Sequence, residues 1–309
     1  MNPPSTLVGS SLAMSQLRQY LAKVARSDAT VLITGETGTG KERVAESIHR
    51  LGSRAAQPFI TINCAAIPDN LLESELFGYE RGAFTGAQSA YPGKFRLANH
   101  GTVFLDEIGE MSTFAQAKLL RVLESREVFP LGAVRTVAVD VRVIAATNQS
   151  LEPMVQKQRF RMDLYYRLNV ARLKLLPLRE RREDIPELFG HFLRQFNDQY
   201  RLSVPSPAPD LLRCFLKHDW PGNVRELRNL VEAIFIDPPS CPPTLHDLPE
   251  AFQQIFSTYV DVATSERERL ITVLTATNWN KSQAAAQLNW SRMTLYRKLS
   301  KYQLSHFDS

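Results

Sequence analysis

The chain has little of what disulfide frameworks, metal sites and membrane spans require. Its three cysteines, Cys64, Cys214 and Cys241, lie far apart with no Cys-x-x-Cys spacing, and its six histidines form no ligand pair at helical separation. Reduced thiols and no structural metal are therefore expected. Apolar runs such as Val141–Ala146 fall far short of the roughly 18 residues that a membrane span needs, and the N-terminus has no basic stretch followed by an apolar one. These absences favour a cytoplasmic protein with no membrane partner. No internal repeat is found. What is present is ordinary for a globular chain: 309 residues, 44% apolar and 22% charged, long enough for two or three units with sizeable cores.

Acidic residues are also missing from one place where basic ones gather. Asn278–Leu304 contains Lys281, Arg292, Arg297, Lys298 and Lys301 and no Asp or Glu, so this segment alone carries a charge equal to the net +5 of the chain. A basic block is usually a solvated face. Its confinement to one short terminal unit favours an anionic partner such as nucleic acid.

Along the first two-thirds, short β-branched runs alternate with amphipathic stretches. Strands are expected at Thr30–Thr34, Phe59–Asn63, Thr102–Leu105 and Val139–Thr147, and helices at Glu42–Leu51, Leu71–Phe77 and Phe114–Glu124. That alternation predicts a parallel sheet with helices on both faces. From Ile185 only helical periods remain (Glu187–Tyr200, Asp210–Lys217, Asn223–Phe235), followed by the proline-rich run Asp237–Pro243 and a last helical unit. The expected fold is α/β, followed by a small α-helical subdomain and then an all-α terminal domain. The boundaries expected are residues 1–177 for the α/β unit, 178–236 for a small helical subdomain, 237–264 for a Pro-rich linker and 265–309 for a terminal helical domain.

The string Gly35-Glu36-Thr37-Gly38-Thr39-Gly40-Lys41 follows the apolar strand Val31-Leu32-Ile33 and opens a helix. In that context a glycine-rich turn is a P-loop. Its glycines let backbone N–H groups converge on phosphate, the helix N-terminus adds a positive end, and Lys41 supplies a point charge. Glu42 stands where a magnesium-holding Ser or Thr is usual. A second strand, Gly101–Leu105, ends in Asp106-Glu107, suited to holding Mg²⁺ through Asp106 and polarising the attacking water through Glu107. A third ends at Thr147-Asn148, a polar pair that can sense the γ phosphate or place the water; singly, such a pair is an ordinary strand terminator. A nucleoside triphosphate with Mg²⁺ is the substrate and cofactor these three strand ends imply.

These strand ends, in this order, resemble the AAA+ ATPases. Gly82-Ala83-Phe84-Thr85-Gly86-Ala87, within the stretch from Glu73, resembles more narrowly the signature loop of bacterial enhancer-binding activators of sigma-54 RNA polymerase. The resemblance runs from about Leu7 to Leu304. It implies that Val8 and Gly9 line the adenine pocket, that Asn63 restrains Glu107 until the sigma factor is engaged, and that the P-loop tolerates Glu42, as the family's does. It implies that Phe160–Leu168 presents Arg161 and Arg167 to the neighbouring subunit's nucleotide, although six residues apart on a helix they need not share a face. It also implies that Arg225, in Trp220-Pro221-Gly222-Asn223-Val224-Arg225-Glu226-Leu227, reaches its own subunit's nucleotide. That last segment equally suits a capped helix start, with Asn223 as N-cap and Glu226 three residues on.

Only a few residues precede Leu7, whereas family members often carry a receiver domain there. The resemblance thus implies the truncated class, controlled by a separate regulatory protein or by abundance. At the other end, Asn280–Leu288, the turn Asn289-Trp290-Ser291 and Arg292–Tyr302 resemble a Fis-type helix-turn-helix. Ala284, Ala285 and Leu288 would pack on Leu295 and Leu299, leaving Lys281, Ser291, Arg292, Thr294, Arg297 and Lys298 for double-stranded DNA. The function implied is a hexameric activator that binds upstream DNA, hydrolyses ATP and opens the sigma-54 polymerase–promoter complex. A DNA-architectural protein or repressor controlled by ATP, or an AAA+ remodeller of another substrate, remain alternatives.

Overall fold

The computed structural model describes residues 7–259 and 270–304, apart from 276, 278, 289 and 303. The expected turn residue Asn289, the end of the expected linker and the first residues of the expected terminal domain lie outside the described residues. Two compact units are present, one of residues up to Gln199 with Asp219–Glu232, the other of Tyr200–His218 with the chain from Ala233.

The first unit is built on five parallel strands: β1 (Val31–Thr34), β2 (Phe59–Asn63), β3 (Thr102–Asp106), β6 (Arg142–Thr147) and β7 (Ala171–Lys174), in the order β2-β3-β6-β1-β7. The expected parallel sheet with helices on both faces is present. Central strands of such a sheet are apolar on both sides, and β1 shows why: Val31 and Ile33 face one layer, Leu32 the other, each almost fully buried. Burial of one such side chain contributes about 1.5–3 kcal/mol. Helices α1 (Leu12–Ala25) and α2 (Lys41–Arg50) cover the face bearing Phe104, Ile144 and Ala146. Helices α3 (Asp69–Phe77), α5 (Thr113–Ser125) and α7 (Met162–Leu168) cover the face bearing Val103, Leu105 and Val143.

Parallel register brings the strand ends to one edge. Thr34 pairs with Thr147, and Asn63 with Asp106. Because β6 lies between β1 and β3, Thr147-Asn148 falls between the P-loop and Asp106-Glu107. Helices α1, α4 (Lys94–Leu97) and α6 (Leu151–Gln156), strand β7 and the two-residue pair β4 (Glu127–Val128) and β5 (Val137–Ala138) were not expected from sequence. Within this unit α8 (Ile185–Tyr200) and α10 (Asn223–Ile234) continue the chain, the final residues of both excepted.

The second unit contains α9 (Pro209–Lys217) and α11 (Glu250–Ser257), the latter within the stretch expected to be a linker. It also holds residues 270–275, helical, and the helices Lys281–Gln287 and Arg292–Lys301. Here Ala284, Ala285, Leu288, Leu295 and Leu299 form one apolar cluster with Leu270, Leu274 and Leu304. Among the described residues no helix is long and apolar enough to cross a membrane.

Candidate functional site

The P-loop adopts the backbone that only its glycines allow cheaply. Gly38 and Gly40 have φ of +80° and +102°, and the Thr39 hydroxyl donates to Glu36 O at 2.7 Å to close the turn. Gly35 N donates to Thr147 O. Among the described residues, no acceptor meets the amides of Gly38, Gly40, Lys41 or Glu42, so a row of donors stands at the N-terminus of α2. Glu42 itself is exposed, in the first turn of that helix. Lys41 is buried, and its ammonium donates to Gly35 O at 3.0 Å.

The Lys41 ammonium also lies 3.3 Å from Glu107 Oε1, while Glu107 Oε2 accepts from Asn148 N at 3.0 Å. Asn148 Nδ2 donates in turn to Thr37 Oγ1 at 3.0 Å. The three strand ends are thus joined: Lys41, Glu107 and Asn148 converge at one point. Glu107 holds a left-handed backbone, φ +52°, which costs a residue with a Cβ about 1–2 kcal/mol and is a conformation found at functional sites. Thr147 is fully buried, and its hydroxyl accepts from Gln149 N.

Asp106 is the group whose chemistry fits a divalent cation. Burial, then the charge of Glu107, raises its carboxyl pKa, so a dication there would offset a standing cost. The same negative field is felt by buried Cys64, whose thiol is pushed up to about 12 by burial, then by Asp106 and Glu107. The free P-loop amides and Lys41 complete a cradle for phosphate, and the residues present fit a magnesium nucleotide. Asn63 lies in register beside Asp106, but its side chain accepts from Ala65 N at 2.9 Å; among the described residues it makes no hydrogen bond to Glu107.

Residues from outside the P-loop hold it in place, Arg179, Arg181 and Asp184 among them not anticipated from sequence. Asn223 is fully buried with φ +53°, so it is no N-cap; the Glu226 carboxylate instead accepts from Gly222 N at 2.8 Å. Asn223 Nδ2 donates to Thr37 O at 3.0 Å, and its Oδ1 accepts from Leu178 N at 2.7 Å. Arg225 N donates to Gly38 O at 3.2 Å, its side chain exposed. Arg179 donates to Glu36 at 2.8 Å, and this bond, aided by Asn223, holds the Glu36 carboxyl below its usual range. Arg181, buried, donates to Thr39 O and faces Asp184 at 3.8 Å. Asp184, fully buried, accepts from Ser11 N and Oγ at 2.8 Å each. It also backs the turn of Val8 and Gly9, where a Cβ on Gly9 would lie 2.8 Å from its carboxylate. For Arg179, Arg181 and Asp184 the sequence signal was the charged run Arg179–Asp184, which without burial looks like a solvated face.

The other expected residues lie elsewhere. Arg161 and Arg167 are both exposed. Arg161, immediately before α7, forks onto Asp163 at 2.7 and 3.0 Å, and Arg167 donates to Leu123 O. Around Arg161, Met162 and Tyr166 are 60% and 67% exposed and share with it and Asp163 an open cleft of about 450 Å³. Residues 82–87 form a tight loop with positive φ at Gly82 and Gly86, closed by Gly82 N to Ala87 O at 2.9 Å. Phe84 is 45% exposed and meets Tyr79 edge-on at 4.9 Å; Ala83 abuts Gly132. On helix Arg292–Lys301, Ser291 accepts from Thr294 N at 3.1 Å as the N-cap. Arg292, Met293, Tyr296 and Arg297 are exposed, with Lys281 and Lys298 half-buried.

Three sequence families match in succession: the sigma-54 interaction domain over residues 7–174, the AAA+ ATPase lid domain over 179–262, and the bacterial regulatory protein, Fis family, over 262–302. The chain is 45% identical over 304 residues to the transcriptional regulatory protein ZraR of Salmonella typhimurium, covering 96% of this chain and 68% of that one. It is 43% identical over 316 residues to the regulatory protein AtoC of Escherichia coli, covering 98% and 68%. The crystal structure of NtrX from Brucella abortus in complex with ATP superposes with a TM-score of 0.75 at 36% identity, covering 96% of this chain and 70% of NtrX.

Proposed function

Since the chain belongs to the sigma-54-interacting family of transcriptional regulators, with an AAA+ ATPase domain, its lid and a Fis-type helix-turn-helix, we propose that it binds DNA upstream of a promoter, assembles into a ring and uses ATP hydrolysis to open the sigma-54 polymerase–promoter complex. The observation that carries this reading is the convergence of Lys41, Glu107 and Asn148 beside a row of free P-loop amides. Such a site is built for phosphoryl transfer to water, where positioning and charge do most of the work.

Each residue has a task in that chemistry. The P-loop amides and Lys41 bind the β and γ phosphates. Glu107 takes the proton of the attacking water, and Asn148 fixes both the direction of that carboxylate and, through Thr37, its distance from the P-loop. The 3.3 Å pair with Lys41 occupies Glu107 until phosphate oxygens compete for the ammonium. Asp106 would hold Mg²⁺, which when bound neutralises charge on the phosphate oxygens. Arg225 reaches the nucleotide from α10, and Arg161 and Arg167 serve the neighbouring subunit, which makes hydrolysis depend on assembly. The exposed apolar surface beside Arg161 supports a subunit contact there. Phe84, on a loop of small residues, is the surface offered to sigma-54, and Arg292, Arg297 and Lys298 are offered to the major groove and phosphates.

The test is open-complex formation on a sigma-54 promoter. The full chain is expected to open it with ATP and not with a non-hydrolysable analogue, and Glu107→Gln is expected to bind ATP and DNA without opening it. Active ATPase with no promoter opening would overturn the proposal.

A further inference from the structure

We propose that Gln116 is a positioning residue for the arginine supplied in trans: a buried amide that fixes where Arg161 leaves the subunit and ties that exit to the segment after Glu107. Gln116, in the first turns of α5, is fully buried. Its Oε1 accepts from Arg161 N at 2.9 Å. Its Nε2 donates to Arg159 O at 3.1 Å and to Met111 O at 2.8 Å. Both amide hydrogens and the carbonyl oxygen are therefore used, on three main-chain groups from two separate segments.

Those segments are the two halves of an intersubunit site. Met111 follows Glu107 by four residues, across the 3-10 turn Ile108–Glu110. Arg161 is the extended residue before α7, φ −71° and ψ 134°, and its guanidinium is exposed. Among the described residues, the Arg161 amide has no other acceptor. A neutral amide is what this place requires. A carboxylate would accept from Arg161 N but turn a negative oxygen toward two carbonyl oxygens, and an apolar side chain would take this partner from all three main-chain groups, leaving the buried Met111 O unsatisfied. Any shift at Glu107 that moves Met111 is carried to the root of Arg161 through one rigid side chain.

This inference rests on the reading of Arg161 as acting on the neighbouring subunit's nucleotide, and mixed oligomers of full-length chains separate the two. Glu107→Gln protomers lack the base but keep their arginines; Arg161→Ala protomers keep the base but lack the arginine. Each alone is expected to be inactive, and their mixture to recover ATPase. No recovery in that control overturns the trans reading. Gln116→Met alone is expected to bind ATP within about twofold of the parent and to lose ATPase about tenfold or more. With added Glu107→Gln protomers it should recover as Arg161→Ala does, since its own site is sound and only its arginine is misplaced. A purely structural defect would not be rescued by a neighbour. Should Gln116→Met fail to bind ATP, Gln116→Glu decides by the same mixing. Unchanged ATPase in the deciding variant, or loss that Glu107→Gln protomers do not relieve while the Arg161→Ala control recovers, overturns the inference.

Discussion

Asn223→Ala is the substitution whose cost the structure specifies most fully. The side chain is fully buried and serves two main-chain groups, accepting from Leu178 N at 2.7 Å and donating to Thr37 O at 3.0 Å. Alanine leaves both unsatisfied, at about 1–2 kcal/mol each, and keeps a Cβ on a backbone of φ +53° where only asparagine and glycine sit comfortably, at about 1 kcal/mol more. The total is about 3–5 kcal/mol. Asn223→Gly loses the same hydrogen bonds but not the backbone comfort, so it should be about 1 kcal/mol less harmful. Urea unfolding followed by Trp220 fluorescence reports locally, since Trp220 is fully buried three residues away, in a Trp279→Phe, Trp290→Phe background. With a slope of about 3 kcal/mol per molar, the alanine variant should shift the midpoint by about 1 M or more. A shift below about 0.3 M, or a glycine variant no better than alanine, would refute the reasoning.

Asp106→Asn should raise the urea midpoint of the nucleotide-free protein at neutral pH, because burial and Glu107 raise the Asp106 pKa in the fold. A raised carboxylate pKa costs stability above that pKa and costs nothing below the unfolded value, so the gain should shrink as pH falls through the window between them; a gain that grows on acidification would contradict the cause assigned. Glu107→Gln should lower ATP turnover about 10²–10⁴-fold with ATP affinity largely kept, measured by steady-state hydrolysis and nucleotide titration. Thr85→Ala should leave ATPase intact and abolish promoter opening; parallel loss of both would place Thr85 in the hydrolytic site. Arg297→Ala should weaken DNA binding and flatten its log–log salt dependence by about 0.9 if the arginine neutralises one phosphate, and an unchanged slope would remove Arg297 from the interface.

Much of the site was legible because its chemistry is local in the chain. A P-loop needs its glycines and Lys41 in consecutive positions, and Asp106-Glu107 and Thr147-Asn148 each close one apolar strand, so a strand-by-strand reading finds them. Elements without a strong period escaped. Strand β7 alternates buried Ala171 and Leu173 with exposed Arg172 and Lys174 over only four residues, and β4 and β5 have two residues each, too few for a pattern. Asn223 and Glu226 resembled a capping pair by spacing, yet the tertiary fold turned Asn223 inward and left the carboxylate to Gly222.

By itself the sequence determined which residues could handle phosphate, water and magnesium, since residue type and position at a strand end suffice to state that chemistry. Only the tertiary structure decided which of them meet. Placing β6 between β1 and β3 sets Asn148 against both Thr37 and Glu107, and burial turns Gln116, Arg181 and Asp184 from apparently ordinary polar residues into supports of the site. Hydrogen bonds spanning 45 residues, such as Gln116 to Arg161 or Leu178 to Asn223, depend on chain path, and no local pattern encodes that path.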